Sequence, residues 1–330
     1  MKTKRMGPVF GLLLLWFGHC CWAASGGPAS EGTKKLVLHP LSPKGSGGEF
    51  RFLPGSQEMT EGDAFPLYVK AVESLPKDLD WAKIKSFREL PLKDLPQGEV
   101  AVVLRLHDMI VPLLEQAGRC KRCNWIINSA GNSTVDLQSL RNLAFLTLLK
   151  ARSQLARGDY ASCVQTLGTA FSLARHLSEG PTLVYTLVGA AIAGVTCGEM
   201  ELYVQQADAP NLGEALRAIP HPFIDEEPSE LYGMKEADRV RPRQVLRRAN
   251  RHLIAMQYIE ALRGYAGKAG QWRETLDEIK PALPNDPVTD KPFEYRRITK
   301  TQATLTGPMP EGGSAKDIIR YELNLQPKER

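Results

Sequence analysis

Apolar residues recur at three- and four-residue steps over long stretches of the chain, which is the spacing of one face of an α-helix. The clearest examples are residues 137–157 and 160–177. The turn Gly158-Asp159 separates them, and the Asp159 side chain can cap the second helix. Further helices are predicted over residues 64–75, 99–118 and 244–268. The pattern therefore predicts a mostly α-helical protein built from helical hairpins.

Residues 180–198 carry no charged side chain, so this stretch is either a membrane span or a helix that is buried on all sides. Threonines, a tyrosine and several glycines dilute its hydropathy, and amphipathic helices flank it. We therefore expect a buried central helix, and association with a membrane is the less favoured alternative.

Short extended pieces are predicted near both ends of the chain. Residues 35–38 and 49–53 form the first group, and residues 293–295 and 299–305 form the second. The expected fold is a helical-hairpin bundle with a small C-terminal α+β module. The predicted division is a leader (1–23), an N-terminal segment with short strands and one helix (24–96), a helical body (97–236) and a C-terminal module (243–325), with residues 239–242 as a linker.

The first 25 residues have the pattern of an export signal. Lys2, Lys4 and Arg5 supply positive charge, and residues 7–22 contain no charged side chain. The apolar part is shorter than the stretch of about 20 residues that a membrane span requires. We therefore predict cleavage after Ala23 and a periplasmic or secreted protein, whose partner would be another envelope or secreted protein.

The net charge argues against a nucleic-acid partner. The chain has 42 basic and 37 acidic residues, but three basic residues lie in the leader, so the remainder carries a formal charge of only +2. Proteins that bind nucleic acids normally have a strong basic excess or stripe. No such excess is present.

A local cluster of arginines lies where the last long helix is predicted. Its candidate partner-binding members are Arg243, Arg247, Arg248 and Arg251. The cluster could bind an acidic partner or a membrane surface. Alternatively, it is a solvated helix face that the acidic residues over 225–236 neutralise, and this interpretation is favoured.

Four cysteines remain once the leader is removed, and Cys120 and Cys123 form a C-x-x-C pair. In an oxidising compartment, a disulfide between them is the leading interpretation. A zinc site would need two more ligands, for which Cys163 and Cys197 are candidates. A redox-active pair is the third possibility, although the pair follows a helix and does not begin one, as thiols with a lowered pKa commonly do.

The most specific pattern lies in the last third of the chain. A helix that ends at Gly270 is followed by Trp272 and then by the run Leu283 to Arg296, which reads L-P-N-D-P-V-T-D-K-P-F-E-Y-R. This region resembles the C-terminal portion of type II secretion pseudopilins. The resemblance implies a helix packed against strands. It does not extend to assembly, because no prepilin cleavage site follows Arg5.

Pseudopilins often hold a calcium ion in a late acidic loop, and this resemblance gives the candidate metal residues Asp286, Glu311 and Asp317. Hard cations need several oxygen ligands together, and the usual Asp-rich stretch is missing here. We therefore expect no resident cofactor. Calcium at these residues and zinc at the cysteines are the alternatives.

Two further resemblances concern the body of the chain. The helix pair around Gly158-Asp159 resembles one tetratricopeptide-type unit, but such folds usually need three or more units. The C-x-R-C-N-W segment over 120–125, together with this helix pair, resembles a group of exported bacterial proteins. This second resemblance implies no activity.

No G-x-S-x-G, G-x-G-x-x-G, Walker or H-E-x-x-H pattern occurs. The predicted function is therefore an exported, non-catalytic structural or protein-binding component of the bacterial cell envelope. The alternative is a thiol-redox or metal-binding protein that acts through Cys120 and Cys123.

Overall fold

The computed structural model describes residues 32–41, 50–105, 108–126, 135–277, 279, 282–311, 313 and 317–326. The predicted leader and its cleavage point lie outside these ranges. The described residues form a mostly helical protein with a small sheet that contains the C-terminal strands. The predicted fold class is confirmed at this level.

Ten α-helices occur in the described ranges. They are α1 (Phe65–Glu73), α2 (Trp81–Glu89), α3 (Gln97–Arg105), α4 (Ile110–Gly118), α5 (Leu137–Ala156), α6 (Tyr160–Ser178), α7 (Leu183–Tyr203), α8 (Gly213–Arg217), α9 (Ser229–Tyr232) and α10 (Glu236–Ala269). Helix α2 is absent from the predicted set. Its N-terminus is capped by Asp80, whose carboxylate accepts a hydrogen bond from the Lys83 amide at 2.9 Å.

The strands form two sheets. They are β1 (Thr33–Leu38), β2 (Thr60–Asp63), β3 (Cys120–Arg122), β4 (Glu294–Arg297), β5 (Gln302–Gly307) and β6 (Ile319–Leu325). The larger sheet has the order β1-β6-β5-β4, in which β1 is parallel to β6 and the other pairs are antiparallel. The N-terminal strand therefore completes the C-terminal sheet, with Leu36 opposite Leu323. Strands β2 and β3 pair in parallel.

Helices α5, α6 and α7 form the centre of the molecule, where α6 packs against both neighbours. Asp136 and Asp159 cap α5 and α6 by accepting hydrogen bonds from the amides of Ser139 and Ser162. Gly158 joins the two helices with a φ of 72°, which a residue without a Cβ adopts easily. The predicted hairpin is thus present, with a short turn that makes its helices antiparallel neighbours.

Helix α7 contains most of the uncharged stretch. Within the described residues it is the one helix long and apolar enough to cross a membrane, and 72% of its apolar window is buried inside the protein. The predicted burial of this helix is confirmed. At Gly189 an added Cβ would lie 2.6 Å from the Ala174 carbonyl oxygen, so α6 and α7 pack closely at this glycine.

Three predictions about individual elements were wrong. Residues 99–118 form two helices, and Pro112 explains the second start because a proline is tolerated in the first turn of a helix. Helix α10 begins at Glu236, so the expected linker over 239–242 is helical and Pro242 lies inside the helix. Residues 50–53, predicted as a strand, are irregular.

Candidate functional site

The C-x-x-C segment runs from the end of α4 into β3 and lies against α1 and α6. Cys120 is buried, and its Sγ lies 3.6 Å from the Gln116 carbonyl oxygen, to which the thiol can donate a weak hydrogen bond. Cys123 is partly buried, directly after β3.

The predicted disulfide is not found, because all four described cysteines are free thiols. An extended chain advances about 3.3 Å per residue, so three residues separate the two α-carbons by roughly 10 Å. A disulfide requires a separation of about 4.4 to 6.8 Å. The strand conformation of Cys120–Arg122 therefore keeps the two sulfurs apart.

His176 links this segment to α1. Its Nδ1 is 2.9 Å from the Tyr68 hydroxyl, and its Nε2 is 3.0 Å from the Cys120 carbonyl oxygen. A neutral ring with its proton on Nε2 satisfies both contacts, since it accepts from Tyr68 and donates to Cys120. Burial and the neighbouring Arg175 guanidinium lower the pKa of His176 to about 4. The imidazole is therefore neutral at physiological pH.

The residues that follow the second cysteine anchor the same segment. The Trp125 ring stacks on Tyr68 with centroids 5.7 Å apart, and its Nε1–H donates to the His176 carbonyl at 2.8 Å. The Asp63 carboxylate accepts hydrogen bonds from the backbone and side-chain amides of Asn124 at 2.9 and 3.0 Å. The C-x-R-C-N-W segment therefore fastens β3 to α1 and α6.

The electrostatics of this segment disfavour thiolate chemistry. Burial, with the Asp63 carboxylate as a further cause, raises the pKa of Cys123 well above its usual range. The guanidinium of Arg175 donates to the Cys120 carbonyl at 3.1 Å, not to a thiol. Burial also raises the pKa values of Cys163 and Cys197. Reactive cysteines need the opposite environment, one that favours the thiolate.

The four arginines of the candidate partner-binding cluster are engaged inside the chain. Arg243 pairs with Glu227 and Glu236, and Arg247 pairs with Glu226 and Glu227. These two follow the favoured interpretation, in which nearby acidic residues neutralise the helix face.

The other two arginines bind aspartates from the C-terminal region. Arg248 pairs with Asp317, and the buried Arg251 pairs with Asp286 at 2.8 Å. All four charges are therefore neutralised at short range within the chain, and partner binding by these four residues stays a prediction.

The candidate metal residues share this neighbourhood. Arg251 bonds both the Asp286 carboxylate and the Asp317 carbonyl, and the Glu311 carbonyl accepts from the Gln244 amide at 3.3 Å. A cation would therefore have to compete with fixed guanidinium groups for these oxygens. Across the described ranges no group of three or more His, Cys, Asp or Glu side chains has the arrangement of a metal site.

Sequence reasoning missed a buried cluster around Glu201, near the end of α7. Its carboxylate accepts hydrogen bonds from Lys34 at 2.8 Å, from His252 at 2.7 Å and from the Tyr321 hydroxyl at 2.7 Å. Burial raises the pKa of Glu201, but the Lys34 ammonium and His252 outweigh this effect and lower it to about 2. The cluster fastens β1, β6 and α10 to α7. The available signal was two carboxylates, Glu199 and Glu201, at the end of a helix that is otherwise uncharged.

A groove of about 830 Å³ lies between the irregular segment 50–58, the end of α4 and one face of α6. Gly168 of α6 allows segment 50–58 to pack directly on this helix, because a Cβ at position 168 would lie 2.3 Å from the Phe52 carbonyl oxygen. Phe52 anchors the segment through an edge-to-face contact with Phe171 at 5.3 Å.

Polar side chains that are not engaged elsewhere line this groove. Arg51, Glu115, Arg119 and Gln165 make no side-chain hydrogen bond or ion pair with the part of the chain that the structure describes. They contrast with Arg243, Arg247, Arg248 and Arg251 of α10, which form ion pairs within the chain. The groove can therefore offer both donors and acceptors to a bound chain.

Comparison of the chain with protein-family models, with curated proteins and with solved structures gave no significant match.

Proposed function

We propose that the protein is an exported, non-catalytic binding component of the cell envelope, and that the groove lined by residues 50–58, α4 and α6 holds an extended segment of a partner protein. The observation that carries the proposal is the groove itself. It has a volume of about 830 Å³ and walls bearing unengaged charged and amide side chains.

The composition of the groove suits a polypeptide better than a small apolar ligand. Small-molecule pockets are mostly apolar with few polar groups. Here Arg51, Arg119, Glu115 and Gln165 line an open channel beside two glycines, Gly118 and Gly168. A partner backbone could exchange hydrogen bonds with these side chains, which supply both donors and acceptors.

The cysteine chemistry supports a non-catalytic role. The environment of Cys123, Cys163 and Cys197 raises the pKa of each thiol, which disfavours the nucleophilic form. His176, which lies beside the C-x-x-C segment, is engaged in contacts with Tyr68 and Cys120. His176 therefore holds the C-x-x-C segment in place by hydrogen bonds and does not activate a thiol.

Site-specific photo-crosslinking of the full chain in cells that export it tests the proposal. A photoreactive residue replaces Gln165 or Arg51 in the groove, and the exposed Lys85 of α2 serves as the matched control position. We expect a discrete adduct from the groove positions and none from position 85. The adduct should weaken with Arg119→Glu and persist with Lys85→Glu.

Equal adducts from groove and control positions, or no adduct from either groove position, would overturn the proposed partner site. N-terminal sequencing of the exported protein tests the predicted leader cleavage separately. Cleavage after Ala23 predicts Ala24 as the first residue, whereas an intact Met1 would exclude a cleaved leader.

A further inference from the structure

A second, smaller cavity lies between α3, α4 and α5. It has a volume of about 220 Å³, and its apolar wall includes Leu104, Ile110, Leu114, Leu143 and Leu146. An apolar protein cavity of about 150 Å³ is large enough for benzene. This cavity can therefore take an apolar body of leucine or phenyl size with a small polar group attached.

The charged part of the lining is mainly basic. Arg105, Lys150 and Arg157 line the cavity, and Asp108 is the one acidic residue among the described lining residues. The side chains of Arg105 and Lys150 have neither a hydrogen-bond nor an ion-pair partner among the described residues. Cations that are already neutralised have little to offer a ligand, whereas these two can form charge-assisted hydrogen bonds with an anion.

One buried amide in the wall also has no partner. Gln154 is only 6% exposed, and its Oε1 accepts no hydrogen bond in the described part of the chain. A buried polar atom without a partner is costly, so such an atom in a cavity wall needs an explanation. A small rotation of this amide toward a ligand would break no existing hydrogen bond of Oε1.

From these three observations we propose that the cavity is a binding site for a small amphipathic carboxylate, a single carboxylate on an apolar group of leucine or phenyl size. The apolar group lies against the leucines of α4 and α5. The carboxylate pairs with Lys150 and Arg105 at the opening. A ligand N–H next to the carboxylate, as in an acylated amino acid, would add a hydrogen bond to Gln154. The site is separate from the partner groove, so either proposal can fail alone.

Calorimetric titration of the purified full chain tests this site. The probes are 4-methylpentanoate and N-acetyl-leucine, with the corresponding uncharged amides as controls. A ligand of about ten non-hydrogen atoms should bind with a Kd of about 0.1 to 1 mM. Loss of the carboxylate charge should weaken binding about tenfold. Tighter binding of N-acetyl-leucine than of 4-methylpentanoate would place the ligand N–H on Gln154, and equal binding would assign recognition to the carboxylate alone.

Two variants with matched controls locate the site. Ala101→Trp adds a large side chain to an exposed lining position and should abolish binding, whereas Ala82→Trp on the exposed face of α2 should leave it unchanged. Lys150→Gln should weaken carboxylate binding about tenfold, and Lys70→Gln on α1 should not. Far-UV circular dichroism and thermal melting establish that each variant is folded.

Four results would overturn the site: neither acid binds, the amides bind as tightly as the acids, Ala101→Trp binds like Ala82→Trp, or Lys150→Gln binds like the wild type. The comparison of acid with amide uses the wild-type protein, so it decides the question even if a variant fails to fold.

Discussion

Arg251 of α10 and Asp286 form an ion pair that is almost completely withdrawn from solvent. Their side chains are 2% and 0% exposed, and two guanidinium nitrogens donate to the carboxylate at 2.8 to 3.1 Å. The same guanidinium also donates to the Asp317 carbonyl. One side chain thus connects the long helix to the loop before β4 and to the segment before β6.

Removing one member of this pair should be strongly destabilising. Arg251→Met leaves the Asp286 carboxylate buried without its counter-charge, which typically costs about 3 to 5 kcal/mol. We expect the free energy of unfolding, measured by urea denaturation, to fall by about that amount. The double variant Arg251→Met/Asp286→Leu should recover part of the loss, because no unpaired charge remains.

The matched control is Lys35→Gln, which breaks a surface ion pair with Glu322 at 3.2 Å. Exposed pairs contribute about 0 to 1 kcal/mol, so this variant should be close to the wild type. An Arg251→Met protein as stable as Lys35→Gln would show that the buried pair does not hold the C-terminal sheet in place.

His176 should make the protein less stable as the pH falls. Its pKa lies at about 4 in the folded protein, below the ordinary value of 6.5, because of burial and Arg175. Between these values the unfolded chain binds a proton that the folded chain does not, so stability rises with pH across this window. Up to about 2 to 3 kcal/mol should be lost as the pH falls from 6.5 towards 4.

Urea denaturation of the wild type and of His176→Gln between about pH 7 and pH 5 measures this effect. The variant should show a smaller dependence on pH, whatever its absolute stability. Burial also lowers the pKa values of His221 and His252, but both proteins retain these residues, so their contribution cancels in the comparison. Identical slopes would mean that His176 does not titrate in this window.

Local signals were sufficient for the centre of the fold. The α5–α6 hairpin followed from its helical spacing and from Asp159, whose cap is formed as expected. The C-x-R-C-N-W segment also stood out by its motif. Its main partners could not be found from the sequence, because His176 lies 56 residues from Cys120 and Tyr68 lies 108 residues from His176.

Long-range pairing explains the other failures. The partner of β1 is β6, at the opposite end of the chain, and Lys34 reaches Glu201 over a separation of 167 residues. Hydrophobic periodicity reports local structure, so it reveals neither of these long-range contacts. The partner of Arg251 could not be found from the sequence for a similar reason, since Asp286 belongs to a loop outside the acidic stretch 225–236.

The number of free thiols should distinguish the four free cysteines of the structure from the predicted Cys120–Cys123 disulfide. For the chain that begins at Ala24, all four cysteines are free in the structure, so denatured, non-reduced protein should titrate four thiols. A Cys120–Cys123 disulfide would leave two. Before denaturation, Cys123 should react first but slowly, because it is partly exposed while burial raises its pKa.

Single variants assign the reacting groups. Cys123→Ser should remove the earliest reaction with a thiol reagent and lower the denatured count by one. Cys163→Ser, in the core of α6, should lower the denatured count equally and leave the native reaction unchanged. If the denatured wild type shows only two free thiols and the count rises on reduction, the protein contains the predicted disulfide.

Gly168 and Gly198 provide a matched pair that tests the wall of the groove. Both lie inside helices, where replacing glycine by alanine normally stabilises a protein by about 0.5 to 1 kcal/mol. Nothing lies within 4 Å of a Cβ added at position 198, so Gly198→Ala should show that gain in thermal or urea unfolding.

At position 168 the Cβ would lie 2.3 Å from the Phe52 carbonyl oxygen. Gly168→Ala should therefore destabilise the protein by about 1 to 3 kcal/mol, as overpacking does. It should also displace segment 50–58 and weaken the crosslink from Gln165, whereas equal stability of the two variants would mean that this segment does not rest on α6.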